Sequence, residues 1–288
     1  MAESLRVMTF NLWHGGDAGK QPLAQSVRVI EAARADIVGV QETLGLGFPE
    51  KENGALIAEK LGWHYLEQAR GRGIASRFPI VSSTHSKAGA KLSLPSGRTI
   101  THFNVHLMYT PYQPYQLLKI PYNNAPFITT EAEAISEAKA ARGEQVRQLI
   151  AEINEAAEGS SKGDPLFVTG DFNEPSHLDW TKASHAAGHC PVVVEWPSTK
   201  ALADAGFQDA YRKINPNPVH KRGLTWTPTT VLTDPKDRHD RIDFVLFRGK
   251  GVTARAAQIL GESKAYADSV VEPYPSDHRA VVCEFQLR

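Results

Sequence analysis

Apolar residues in this chain fall into short runs separated by amphipathic stretches. Residues 5–10, 36–40, 99–107, 166–168, 242–247 and 280–285 are each apolar or alternating, and each is too short for a helix, so each predicts a strand. Residues 36–40 are continuously apolar apart from their first position, which predicts burial on both faces. Shorter strands are expected at 63–66, 73–76 and 80–83, forming a meander, and at 224–227. Between them, Val27, Ile30 and Ala33 carry helical spacing from about Pro22, the start of a helix that covers a sheet. Residues 50–61 predict a second helix, stopped by Gly62. Residues 130–157 predict a long third one, with Thr130 and Glu133 as a capping box and Val146, Leu149, Ile150 and Ile153 as its apolar stripe. Strands alternating with helices predict an α/β fold. Residues 108–127 break the pattern with four tyrosines, four prolines and no carboxylate. This stretch predicts a structured loop near a site, where Tyr109 and Tyr112 offer a ring and a hydroxyl to a substrate. A loop anchored by its own aromatics fits the composition equally well.

The polar residues at the strand ends carry the candidate chemistry. TGDFNEPS at 169–176 follows an apolar strand; Gly170 permits a tight turn and Pro175 stops regular pairing. Alternation is expected to aim Asp171 and Asn173 to one side. A carboxylate beside an amide suits a hard cation and a phosphate oxygen, and it equally suits an ordinary self-capping turn. Other strand ends add Asn11, Glu42, His106 and the Asp277-His278 pair of PSDHR at 275–279, while Asp243 lies in an otherwise apolar strand. Six strand-associated segments thus deliver metal-competent or proton-carrying side chains. Asp243 needs a partner if buried, and His278 is the natural one, since a carboxylate fixes an imidazole's tautomer.

The ordered set FNLWHGG, VQET, IASRFPI, FNVHL, TGDFNEP, RIDFVLF and SDHRAVV resembles the endonuclease/exonuclease/phosphatase superfamily from Asn11 to His278. The resemblance implies a four-layer α/β sandwich: two packed mixed β-sheets flanked by helices, forming a single domain over residues 1–288. It implies a divalent-metal-dependent phosphoester hydrolase using Mg²⁺ or Mn²⁺, with Glu42 as principal metal ligand and Asn11, Asp277 and Asp171 as further ligands. Asp171 would orient or deprotonate the attacking water, and Asn173 would bind a phosphate oxygen. His278 with Asp243 would stabilise the reacting centre, and His106 would donate to a phosphate or leaving-group oxygen. Carboxylates and amides outnumber imidazoles and no thiolate takes part, so zinc carries less weight. Arg72 in the basic RGRG stretch, and Lys221 and Arg222 further on, are candidate phosphate contacts; a solvated role suits each as well.

Composition narrows the substrate. Of 288 residues, 41% are hydrophobic and 22% charged, ordinary for a globular chain with a sizeable core. The 32 basic and 32 acidic residues cancel, so no global field holds a polyanion. A nucleic-acid partner is therefore not favoured, and a small phosphate ester, with a sugar- or nucleotide-like group, is. A metal-dependent nuclease is the alternative, and a non-catalytic binding module a remote one. Cys190 and Cys283 form neither a disulfide framework nor a metal spacing and are expected to be buried thiols. No apolar run approaches the ~20 residues of a membrane span, and residues 1–6 lack an apolar signal core, which predicts a cytoplasmic protein, with a secreted form that has lost its leader as the alternative. No protein partner is indicated.

Overall fold

A computed structural model describes residues 3–47, 51–69, 71–158 and 163–288. Strand β1 (Glu3–Asn11) runs parallel to β2 (Ile37–Gln41), joined through helix α1 (Leu23–Ala33). Helix α2 (Asn53–Leu61) leads into β3 (His64–Gln68) and β4 (Arg72–Ser76). A second set opens with β5 (Ile80–Ser83), β6 (Gly89–Ser93) and β7 (Thr99–His106). Helices α3 (Gln113–Leu118) and α4 (Glu131–Glu158) follow, then β8 (Leu166–Asp171), α5 (Lys182–Ala186) and α6 (Pro197–Asp204). The chain ends through β9 (Gln208–Asp209), α7 (Ala210–Ile214), β10 (Asp243–Arg248), β11 (Val252–Gly261), β12 (Ser269–Val270) and β13 (Ala280–Leu287).

These strands build two mixed sheets, a seven-stranded one ordered β12-β11-β13-β1-β2-β4-β3 and a six-stranded one ordered β5-β6-β7-β8-β10-β9. Side-chain alternation sorts each strand between two cores. Leu5, Val7, Ile37, Phe167, Val245, Val281 and Phe285 fill the space between the sheets. Met8, Phe10, Val38, Val40 and Val282 face outward under α1 and α2, while Val105, Val168, Phe244 and Leu246 face outward under α4 and α6. Helix, sheet, sheet, helix is the expected four-layer order.

Several expectations are corrected. Helix α2 begins at Asn53; residue 50 of the expected span lies outside the described residues, as do Arg70 and residues 159–162. Residues 108–127 are not loop throughout, because Pro114 stands in the first turn of α3, where a missing N–H costs nothing. Residues 224–227 form no strand, only isolated bridges from Trp226 to Asp240 and to His278. The charged segment 234–241 buries His239, Asp240 and Arg241. It can do so because its charges are paired: Arg238 lies 3.1 Å from Asp240, and Arg241 lies 3.0 Å from Asp179 and 2.8 Å from Asp209. Gly170 makes no turn, since β8 runs on through Asp171. A Cβ there would meet the Val105 carbonyl oxygen at 2.3 Å, so the residue serves close strand approach.

Along the inward faces, polarity rises toward one end of the sheets. Val7 gives way to Thr9 and then Asn11, Ile37 to Gly39 and Gln41, Phe167 to Thr169 and Asp171. The middle layer is a buried network. Asn104 Nδ2 donates to Val40 O, Gln68 Oε1 and Gly73 O, and its Oδ1 accepts from Gln41 Nε2 at 2.6 Å. Thr169 Oγ1 joins it at 3.3 Å and also meets His102 Nε2 at 2.8 Å. Gly39 leaves room for this layer: a Cβ would stand 2.0 Å from Thr169 Oγ1 and 2.4 Å from Asn104 Oδ1. Gly39→Ala is therefore expected to lower unfolding free energy by about 1–3 kcal/mol in urea denaturation. An unchanged midpoint would contradict the tight fit between the sheets.

Candidate active site

The polar end of the inter-sheet space collects six segments. Parallel pairing of β1 with β2 places Asn11 beside Gln41, one residue before Glu42. Parallel pairing of β7 with β8 sets His106 beside Asp171, and antiparallel β10 sets Asp243 on Asp171's other side. The turn before β13 brings Asp277 and His278, tied to β1 by Ser276, whose Oγ donates to Asn11 O at 2.7 Å and accepts from His278 N.

Asp171 is the centre. Its Oδ2 accepts from Asn11 Nδ2 at 3.0 Å and lies 3.5 Å from His106 Nε2 and 3.7 Å from His278 Nε2. Asn11 Nδ2 also reaches Glu42 Oε1 at 3.2 Å, so one amide bridges two carboxylates. The Asn11 Oδ1 accepts from Trp13 N, so the residue expected as a ligand through oxygen works here as a donor. Glu42 adopts φ 51°, a left-handed conformation uncommon for glutamate, and hydrogen bonds hold it there: its carbonyl accepts from Gly15 N and its Oε2 from His14 N.

His278 Nδ1 sits 3.0 Å from Asp243 Oδ2, as expected for an imidazole held by a carboxylate. Burial alone would push His278 down, but Asp243 and Asp171 on either side outweigh it and hold the imidazole well above its ordinary range. Burial likewise favours the neutral form of Glu42, and the nearby His106 and His278 reverse this, holding its carboxyl low. Burial, reinforced by Glu42 and Asp171 against the opposing pull of His278, pushes Asp277 up to about 6. Its Oδ1 is buried without a hydrogen-bond partner. Among the described residues no lysine or arginine pairs with Glu42, Asp171 or Asp277. An orphaned carboxylate oxygen among crowded carboxylates is the donor set a hard divalent cation needs. Asp171, Asp243 and His278 also offer ligand atoms within 4.8 Å of one another. Nδ1 of His278 is already committed to Asp243, which leaves Glu42, Asp171 and Asp277 as the carboxylates that could hold a cation.

The remaining expected residues divide. Asn173 is not aimed by strand alternation, since β8 ends at Asp171 and Asn173 turns left-handed (φ 48°). Its backbone N–H caps Asp171 Oδ1 at 2.8 Å and its amide donates to Leu107 O. Arg72 opens β4 opposite Gln41, with Nε donating to Ala69 O. Tyr112 is corrected outright: it is buried and its hydroxyl donates to Asp240 at 2.9 Å, so it is scaffold. Tyr109 is 52% exposed and packs edge-on against Tyr122. Tyr122, passed over in the sequence, stands close enough to Glu42 for that charge to help raise its phenol, after burial and Tyr109. An aromatic chain then runs from Tyr122 edge-on to Tyr115 and on, through a tilted contact, to Trp226, whose ring centre is 6.4 Å from that of His278. Thr225 was also missed; its Oγ1 accepts from Ile242 N and Asp243 N and so sets the carboxylate behind His278.

Comparison with known proteins agrees with this fold. The sequence model of the endonuclease/exonuclease/phosphatase family matches residues 8–278. An uncharacterized Caenorhabditis elegans protein is 30% identical over 310 aligned residues, covering 99% of this chain and 92% of that one. A family structure from Bacteroides thetaiotaomicron superposes with TM-score 0.60 at 16% identity, covering 100% of this chain and 96% of the other. One from Beutenbergia cavernae gives 0.59 at 18% identity over 99% and 72%, and truncated Caenorhabditis elegans TDP2 gives 0.55 at 15% over 98% and 97%. At these identities the structures share the fold.

The crowding at Asp277 has a measurable sign. Its folded pKa of about 6 exceeds the ordinary 3.8, so the folded chain holds the proton more tightly. Stability from this group is present at low pH and is lost as pH rises from about 4 through about 6. In EDTA, Asp277→Asn should be more stable than the parent at pH 7.5 by about 2 kcal/mol, with the gap closing by pH 4. Thermal melts at the two pH values check this, and a variant less stable at pH 7.5 would contradict it.

Proposed function

Because the chain belongs to the endonuclease/exonuclease/phosphatase family, which includes metal-dependent phosphoesterases and nucleases, we propose that it is a divalent-metal-dependent hydrolase of a small phosphate ester, a phosphodiester foremost. The observation that carries this reading is the meeting of Glu42 and Asp171 at the Asn11 amide, with Asp277 in electrostatic range of both and a carboxylate-backed imidazole beside them. Glu42 and Asp277 would hold the ion, Mg²⁺ or Mn²⁺, with Asp171 adjacent. When bound, the ion supplies charge that neutralises phosphate oxygens and stabilises the departing oxygen.

The chain's own residues do the rest. Asp171, buried and flanked by His106 and His278, is placed to orient the attacking water and take its proton. His278, kept protonated by Asp243, donates through Nε2 to an oxygen of the reacting phosphate as charge builds. His106, partly exposed at the strand mouth, donates to the leaving-group side. The Asn173 amide, with one hydrogen on Leu107 O, has a second for a phosphate oxygen. Asn11 holds Glu42 and Asp171 apart at fixed spacing, which lets the two carboxylates serve different roles.

The leaving group meets an aromatic wall. Tyr109 and Tyr122 are exposed in part, while Tyr115 and Trp226 support them from behind. Such a wall suits a ring-bearing substituent, a base or an aryl group. Three arginines near this end are committed internally: Arg238 to Asp240, Arg241 to Asp179, Arg279 to Glu262. Their commitment, with zero net charge, favours a small ester over a long polyanion.

The test is hydrolysis of bis(p-nitrophenyl) phosphate, p-nitrophenyl phosphate and plasmid DNA with Mg²⁺ or Mn²⁺. Diester turnover is expected, abolished by EDTA and reduced about 10³-fold or more in Asp171→Ala and in His278→Ala. Efficient plasmid nicking with little diester turnover would move the nuclease to first place, and silence on all substrates would point to a binding module. A second expectation concerns the wall: Tyr122→Ala should raise KM for the aryl diester about tenfold with kcat nearly unchanged. A fall in kcat alone would place Tyr122 in the chemistry instead.

A further inference from the structure

Away from the carboxylates lies a cavity of about 260 Å³, lined by His189, Tyr211, His220, Lys221, Arg222 and Lys264 among others, with no carboxylate in its wall. Two polar atoms there are buried and unpartnered: Tyr211 Oη and His189 Nδ1. Tyr211 is 1% exposed, so its hydroxyl cannot turn to bulk water. Its ring end is held against Gly223, which has φ 75° and where a Cβ would meet the tyrosine's ring at 2.5 Å. Glycine at 223 thus keeps the hydroxyl at the cavity wall. Burial pushes the Tyr211 phenol up to about 12, so it is a neutral donor.

Arg222 is the uncompensated charge. It is half-buried, and burial together with the neighbouring Arg238 pulls its guanidinium below the ordinary range. Among the described residues its side chain makes no hydrogen bond or ion pair. Asp240 and Asp179 lie in electrostatic range but are already engaged, the first by Arg238 and the second by Arg212 and Arg241. Lys221 is neutralised by Asp268 at 2.6 Å, while Lys264 is exposed with no partner among the described residues. A water molecule would satisfy Tyr211 and His189 and leave Arg222 without a counter-charge. A tetrahedral oxyanion brings both the counter-charge that Arg222 lacks and acceptors for the phenol and imidazole N–H donors in the same wall.

We propose that this cavity is an anion site for a phosphoryl group, read by Arg222, Lys264 and Tyr211, and separate from the catalytic carboxylates. Free phosphate and the phosphoryl group of an organic ester share the required chemistry. The site needs no metal and does not rest on the reaction proposed above.

Isothermal titration of the full chain in EDTA tests it, with inorganic phosphate and ribose 5-phosphate in separate runs at constant ionic strength. At least one should bind with single stoichiometry, and which of them binds names the source. Arg222→Gln should weaken binding about tenfold or more, Tyr211→Phe and the surface variant Lys264→Gln several-fold, and Asp171→Asn should leave it unchanged. Absence of binding by both ligands would overturn the proposal. So would binding that survives in Arg222→Gln, Tyr211→Phe and Lys264→Gln alike, or that disappears in Asp171→Asn.

Discussion

Asn104 is one amide in the middle of two sheets, and the geometry of the site depends on it. Apolar packing between the sheets is strong but non-directional, and alone it would tolerate sliding. Asn104 belongs to β7 in one sheet and bonds to Val40, Gln68, Gly73 and Gln41 in the other. These bonds fix the sheets against each other one layer below Asn11 and Asp171, which come from opposite sheets and meet at 3.0 Å. Leaving any of these buried groups unpaired would cost about 1–3 kcal/mol, so the register is enforced as well as favoured. The mouth above inherits its spacing from this layer.

Much of this was legible in the chain because it is written in local patterns. Short apolar runs gave the strands, and a polar residue at the end of each gave Asn11, Glu42, His106, Asp171 and Asp277. The pairing of Asp243 with His278 followed from a charge that had to be matched. What escaped was made by contacts across long sequence separations. Tyr112 looked like a substrate contact because its partner, Asp240, is 128 positions away. The burial of Arg241 could not be foreseen because its charge is cancelled by Asp179 and Asp209, which nothing nearby announces. Asn173 departed from strand alternation because the strand stopped two residues earlier, a boundary that depends on pairing with β10. Tyr122 was hidden among similar tyrosines, and only their packing separates those that face outward from those that hold the wall.

The site also shows where the chain accepts strain. Trp13, His14, Glu42 and Asn173 all take left-handed backbone angles in the loops at the strand mouths. Each costs free energy that a glycine would not, and each is held by neighbouring hydrogen bonds or by the strand it leaves. Relaxing Glu42 to an extended conformation would carry its carboxylate away from Asn11. Rigidity here comes from the sheets beneath, and the loops only redirect side chains that the strands have already delivered.

The position of β13 has a consequence for how the protein is made. This last strand lies between β11 and β1, inside the seven-stranded sheet, and its leading turn supplies Asp277 and His278. During vectorial synthesis β1 and β2 emerge long before β13, so the other edge of β1 stays open until some 270 further residues have been translated. That edge of β1 therefore stays unpaired until β13 has been made, and the site cannot assemble before then. A product that stops short of β13 would lack Asp277 and His278 and keep an open edge inclined to aggregate, so the constellation is completed in one step with that strand.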